Sequence, residues 1–112
     1  MIARIWRGAV QLDDADGYAD YIRETGFAEY ALTSGNRGAW LLRRDQGDRT
    51  EFITLSLWDS VDAIRAFAGD DIDVAVLYPE DARYLVGGES TVTHYQVVDQ
   101  VQGPSGSGGR GL

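Results

Sequence analysis

Cysteine and lysine are absent from these 112 residues, and histidine occurs once, as His94. Without cysteine there are no disulfides, no thiolate nucleophiles and no iron–sulfur or zinc–thiolate sites. Without lysine there is neither Schiff-base chemistry nor a P-loop. A single histidine cannot build a multi-histidine metal site within one protomer. The aspartate pairs Asp13/Asp14 and Asp70/Asp71 lack the regular spacing of a calcium- or magnesium-binding loop. No apolar run approaches ~18–20 residues, so no transmembrane helix is expected. The N-terminal MIARIWRG carries charges within its apolar stretch and reads as no signal peptide. Cytoplasmic residence is the default expectation.

All ten basic residues are arginine, against 18 acidic ones, for a net charge of -8. An acidic chain without basic clusters argues against nucleic acid and anionic membranes as partners. No glycine-rich dinucleotide loop is present, and no bound cofactor is expected.

What is present reads as one domain over residues 1–100 and a glycine- and serine-rich tail, 101–112, expected to be flexible. Ile2 to Val10 alternates and reads as a strand. Asp13 or Asp14 is placed to cap a helix that carries Tyr18, Tyr21, Ile22 and Thr25 on one face and stops at Gly26. Phe27 to Leu32 adds a helical turn or begins a loop. AWLLRRD and EFITLSLW form a hairpin across QGDRT. In DSVDAIRAFAG, Asp59 or Ser60 caps a helix with Val61, Ile64, Phe67 and Ala68 on its apolar face, ended by Gly69. DDIDVAVLYP is expected to be a second helical piece closed by Pro79. EDARYLV offers another turn, GGES reads as a turn, and STVTHYQVVD is the last strand.

The order β-α-β-β-α-β is that of the ferredoxin-like α+β arrangement, an antiparallel sheet with helices on one face. Phe52 to Trp58 is largely apolar at both parities, and Trp40 and Leu42 alternate with Leu41. Helices cover only one face of such a sheet, so the other needs cover too. A homodimer packed sheet to sheet is the economical answer.

LLRR, EFITLSLWDS running into DAIRAFAG, and the closing HYQV resemble the antibiotic biosynthesis monooxygenase (ABM) family of dimeric α+β barrels, over about residues 2 to 99. Trp58-Asp59-Ser60 followed by the helix from Ala63 to Phe67 carries most of the likeness. The resemblance implies the fold and a family that includes cofactor-independent oxygenases of polyketide aromatics, haem-degrading enzymes and members without assigned activity. In the haem-degrading relatives an iron-ligating histidine follows the second helix, and an asparagine lies in the first strand. By this likeness Val76 and Trp6 take those places, and Phe67 matches an aromatic lining the pocket. Haem degradation is therefore not the expectation.

His94 has two readings: a general base, suited by imidazole's ordinary pKa of about 6.5, or a hydrogen-bonded strand or interface residue. Arg4 shares the parity of Trp6 and is the best candidate to hold a carboxylate, phenolate or enolate. Arg44 can do the same if it points inward. Trp6 lies beside Gly8 on one parity, which suggests a hollow where a flat ligand stacks. Tyr78 can present its hydroxyl there. Trp58 and Phe67 fall on buried faces, as core or as pocket wall.

Two functional classes remain open. One is a small cofactor-independent monooxygenase of an aromatic, polyketide-type metabolite, in which His94 generates a carbanion that reacts with O₂ and Arg4 stabilises the charge. Without O₂ the same groups make a cyclase or isomerase. The other is a non-catalytic accessory dimer that binds an aromatic metabolite or a flavin.

Overall fold

In the computed structural model, which describes residues 1–104, β1 (Ile2–Gln11) runs through the sheet interior and organises the rest. On one side it pairs antiparallel with β3 (Arg49–Trp58) along its whole length, Ile2 opposite Trp58 and Gln11 opposite Arg49. Its other side is shared by two short strands. β4 (Leu85–Gly88) pairs with residues 8–10 and β5 (Thr93–Gln96) with residues 2–5. β2 (Asn36–Gln46) joins β3 in a tight hairpin that turns at Gly47, whose φ of 64° suits a residue with no Cβ. The sheet order is β2-β3-β1-β4, with β5 beside β4 on the edge of β1.

The helices α1 (Ala15–Ile22), α2 (Ala28–Leu32), α3 (Val61–Ala68) and α4 (Asp81–Tyr84) lie on one face. Alternation in β1 decides that face: Arg4, Trp6 and Val10 are buried beneath the helices, while Arg7 between them is exposed. Thr50, Phe52, Ser56 and Trp58 do the same in β3. The apolar material forms two clusters. Trp6, Tyr18, Ile22 and Phe52 pack under α1, and Tyr30, Trp58 and Ile64 pack under α2 and α3. Ser60 starts α3 by accepting a hydrogen bond from the Ala63 amide at 3.1 Å, and Gly69 ends it at φ 88°.

The α+β, ferredoxin-like arrangement is the expected one, with local corrections. Leu85–Gly88 is a strand rather than a turn, which makes five strands. Gly88 sits opposite Gly8 of β1, in van der Waals reach of the Trp6 ring. Residues 70–79 form no helix. Their backbone is drawn instead to β1 and to the segment before β5: Arg4 donates to the Ile72 and Val74 carbonyls, and Ala75 and Val92 amides donate to Ser90 and Asp73 carbonyls. Those tertiary bonds replace the intrahelical ones. Gly26 does not stop the first helix, which passes through a π-turn (Arg23–Phe27) into α2 so that Phe27 and Tyr30 reach the second cluster. Neither Asp13 nor Asp14 caps α1 by a side-chain bond. The expected tail lies outside the described residues from 105 onward. Among the described residues no helix is long and apolar enough to cross a membrane.

The uncovered face of the sheet carries an apolar patch, bordered by Arg7, Arg44 and Glu51. The register sets Trp40, Leu55 and Ile5 in one row across three strands and Leu42 beside Ile53 in the next. Trp40 and Leu42 are 48% and 45% exposed, too much for a satisfied core position.

Candidate active site

Between the two apolar clusters lies a cavity of about 510 Å³, open mouth included. Trp6, Phe27, Tyr30 and Phe67 give it rings from four elements, and residues 75–78 close one side. As it stands the centres of water molecules can range over only about 50 Å³ of it, enough for a few waters.

Arg4 reaches this cavity from β1 and is only 3% exposed. Its Nη1 donates to the Ile72 carbonyl and lies 3.0 Å from Nε2 of His94, and its Nη2 donates to the Val74 carbonyl at 3.1 Å. The guanidinium also stands 6.0 Å from the centre of the Phe67 ring. No carboxylate forms an ion pair with it among the described residues. Burial holds its pKa below the ordinary value, partly offset by the charges of Tyr30 and Asp73.

His94 occupies the helix-side face of β5, directly opposite Arg4 in the register. It does not line the cavity. Arginine only donates, so the Nε2 facing it is an acceptor, and the proton sits on Nδ1, 3.3 Å from Asp73 Oδ1. Both ring nitrogens are engaged. Burial, then the Arg4 charge, hold its pKa below the usual histidine value, against the pull of Asp73. The imidazole therefore stands behind Arg4 as a neutral acceptor and corrects the expectation of a base in the chamber.

Trp6 lies with its ring over Gly8, where a Cβ would come within 2.3 Å of Cη2. The ring fills the expected hollow and forms cavity wall, fixed by Nε1 donating to the Glu89 carbonyl at 2.7 Å. Phe67 and Tyr78 also reach the cavity. Trp58 does not: it is fully buried, stacked at 5.6 Å under Phe67, with Nε1 donating to Ser56 Oγ at 2.8 Å. Arg44 is absent from the site too. It projects from the uncovered sheet face, near Glu51 at 3.6 Å, because its neighbour Arg43 takes the helix side and meets Asp16. Trp40 shares that outer face.

The sequence reading missed the cavity's carboxylate. Asp81, at the start of α4, is 5% exposed and accepts from the Tyr18 hydroxyl at 2.6 Å and the Tyr78 amide at 2.5 Å. In EDARYLV it looks like an ordinary first-turn acid, and nothing local marks it as buried. Burial, then the hydrogen bond to Asp81, push the Tyr18 pKa far up, so Tyr18 stays a donor. Burial, then the Glu29 side chain, push the Tyr78 pKa up; Glu29 stands close but outside hydrogen-bonding geometry, so among the described residues the buried hydroxyl has no hydrogen-bond partner. Tyr30 is raised by burial, with Ser56 and Thr54 opposing.

No protein-family model and no curated protein matches the sequence. Solved structures do match. A Bacillus cereus protein described as a supposed antibiotic biosynthesis monooxygenase aligns at TM-score 0.65 and 11% identity, over 91% of this chain and 97% of its own. Rv0793 from Mycobacterium tuberculosis aligns at 0.62 and 17%, over 90% and 98%. The haem degrader MhuD of the same organism, solved with two haems in its active site, aligns at 0.57 and 18%, over 91% and 100%. At these identities the likeness is one of fold. The chain has the fold of the antibiotic biosynthesis monooxygenases.

MhuD raises the question of haem. Among the described residues the cavity wall carries no imidazole, thiol or thioether, and its tyrosines are the remaining candidates among the usual haem ligands. Val76 lines the cavity at the place the resemblance gave to a ligating histidine.

Proposed function

We propose that the protein is a small monooxygenase-type enzyme that takes a flat aromatic, polyketide-type molecule between Trp6 and Phe67 and lets it react directly with O₂. The observation that carries this reading is the buried carboxylate–phenol pair, Asp81 and Tyr18, on the wall of a ring-lined cavity. A carboxylate has about four lone-pair sites, and Asp81 uses two of them, so it retains acceptor capacity toward a bound phenol. Asp81 replaces His94 in the role of base.

The chemistry balances with the substrate as reductant. Loss of a phenolic proton puts negative charge on a ring carbon, which adds O₂ to form a hydroperoxide. Elimination of water leaves a quinone: one oxygen atom stays in the product and the other departs in water. The protein supplies a dry, preorganised site in which developing charge is stabilised. A flat aromatic needs the ring-lined cavity to widen, since its interior space suffices for only a few waters. Two protomers packed through the Trp40–Leu55–Ile5 face complete the assembly.

A second reading is a binding dimer without chemistry, favoured by the two hydrogen bonds already held by Asp81. Oxygen uptake with a trihydroxylated polycyclic aromatic decides between them. Uptake matched to product supports the oxygenase, anaerobic turnover supports a cyclase or isomerase, and binding without turnover supports the accessory protein.

A further inference from the structure

Burying a guanidinium without a carboxylate in contact is costly, because carbonyl dipoles return only part of the lost hydration. Arg4 is in that situation. Its five N–H donors include three directed to the Ile72 carbonyl, the Val74 carbonyl and His94 Nε2, which leaves two uncommitted on a side chain that lines the cavity. Behind it, Asp73 is largely exposed and meets His94 rather than Arg4. Among the described residues the positive charge at the cavity wall therefore has no carboxylate in contact with it.

We infer that the cavity takes an aromatic anion whose charged oxygen lies against the two free N–H groups of Arg4, with neutral His94 positioning the guanidinium from behind. The inference rests on the reading of this cavity as an aromatic site and narrows it from aromatic molecules to acidic ones: carboxylates, enolates or acidic phenols.

The arrangement makes His94 a reporter of occupancy. The charged groups facing it are Arg4 from β1 and Asp73 from the loop between α3 and α4; Phe67 and Tyr30 face Arg4 from the helices. An anion on Arg4 offsets the cation that disfavours imidazolium, so binding raises the affinity of His94 for a proton. A neutral ligand of the same shape leaves it unchanged.

The test pairs 2-naphthoate with 2-naphthamide, each titrated into the full chain while the His94 ring nitrogens are followed by NMR as a function of pH. Naphthoate is expected to bind roughly tenfold more tightly than the amide, the scale of one charge-assisted hydrogen bond, and to raise the His94 pKa. The amide is expected to leave that pKa where it was. In His94→Gln, whose amide oxygen still accepts from Arg4, naphthoate binding is expected to persist without proton uptake. Equal affinity for the two ligands, or a His94 pKa indifferent to naphthoate, overturns the inference and leaves the aromatic site intact. If neither compound perturbs the Trp6 indole signal, both readings fall.

Discussion

Nη1 of Arg4 lies 3.0 Å from Nε2 of His94, each on its own strand and directly opposite in the register. A donor-only guanidinium in that position fixes the tautomer: Nδ1 carries the proton and Nε2 the lone pair. The same contact that holds Arg4 at the cavity removes His94 from service as a base.

A pH dependence follows from that contact. The folded pKa of His94 lies below its ordinary value of 6.5, so the unfolded chain takes up the proton first. Its effect on stability is absent above about pH 6.5, and stability is lost as pH falls from there through the folded value. Urea denaturation from pH 7.5 downward is expected to show this loss, and His94→Gln is expected to flatten it. An identical profile in the variant would count against the neutral, Arg4-bound imidazole.

Tyr18 and Tyr78 make a contrasting pair. Tyr18→Phe deprives the buried Asp81 carboxylate of a donor and is expected to cost about 1–3 kcal/mol in chemical denaturation. Tyr78→Phe removes a hydroxyl with no partner and is expected to be neutral or slightly stabilising. The reverse ranking would mean that Tyr78, not Tyr18, holds the cavity's polar network together.

Gly8 is expected to tolerate no side chain. Gly8→Ala sets a methyl 2.3 Å from Trp6 Cη2 and expels the ring from its seat, at a cost of about 1–3 kcal/mol. Melting temperature and the Trp6 indole NMR signal check this together. A variant with unchanged melting and an unmoved indole would show that the ring is not wedged there.

The uncovered sheet face supplies the prediction about assembly. Trp40→Glu combined with Leu42→Glu places two charges in the apolar rows without touching the helix side. Wild type is expected to scatter light as a dimer at micromolar concentration and the double variant as a monomer with its secondary structure retained. A monomeric wild type would remove the proposed interface.

Much of the architecture was legible because period-2 patterning in β1, β2 and β3 and the Ser60 and Gly69 ends of α3 are local signals. Residues 70–79 were misread for a physical reason: their helical periodicity is real, but a buried arginine 68 residues away in sequence captures the Ile72 carbonyl. Leu85–Gly88 was missed because paired glycines read as a turn, while here they pair with Gly8 and Ala9 of β1. Parity placed Arg4 with Trp6 at the cavity, and the family resemblance placed Phe67 there. Parity could not place Arg44 without knowing which way the strand faces, nor single out Asp81, whose hydroxyl partner Tyr18 lies 63 positions earlier.

The most direct test is turnover of a trihydroxylated polycyclic aromatic under ¹⁸O₂ with mass analysis of the product, for wild type and Asp81→Asn. One ¹⁸O atom per product molecule from wild type, with at least about a hundredfold slower formation by the variant, as expected for loss of a general base, is the predicted result. Product lacking ¹⁸O, or equal rates from both proteins, would contradict oxygenation driven from the Asp81 carboxylate.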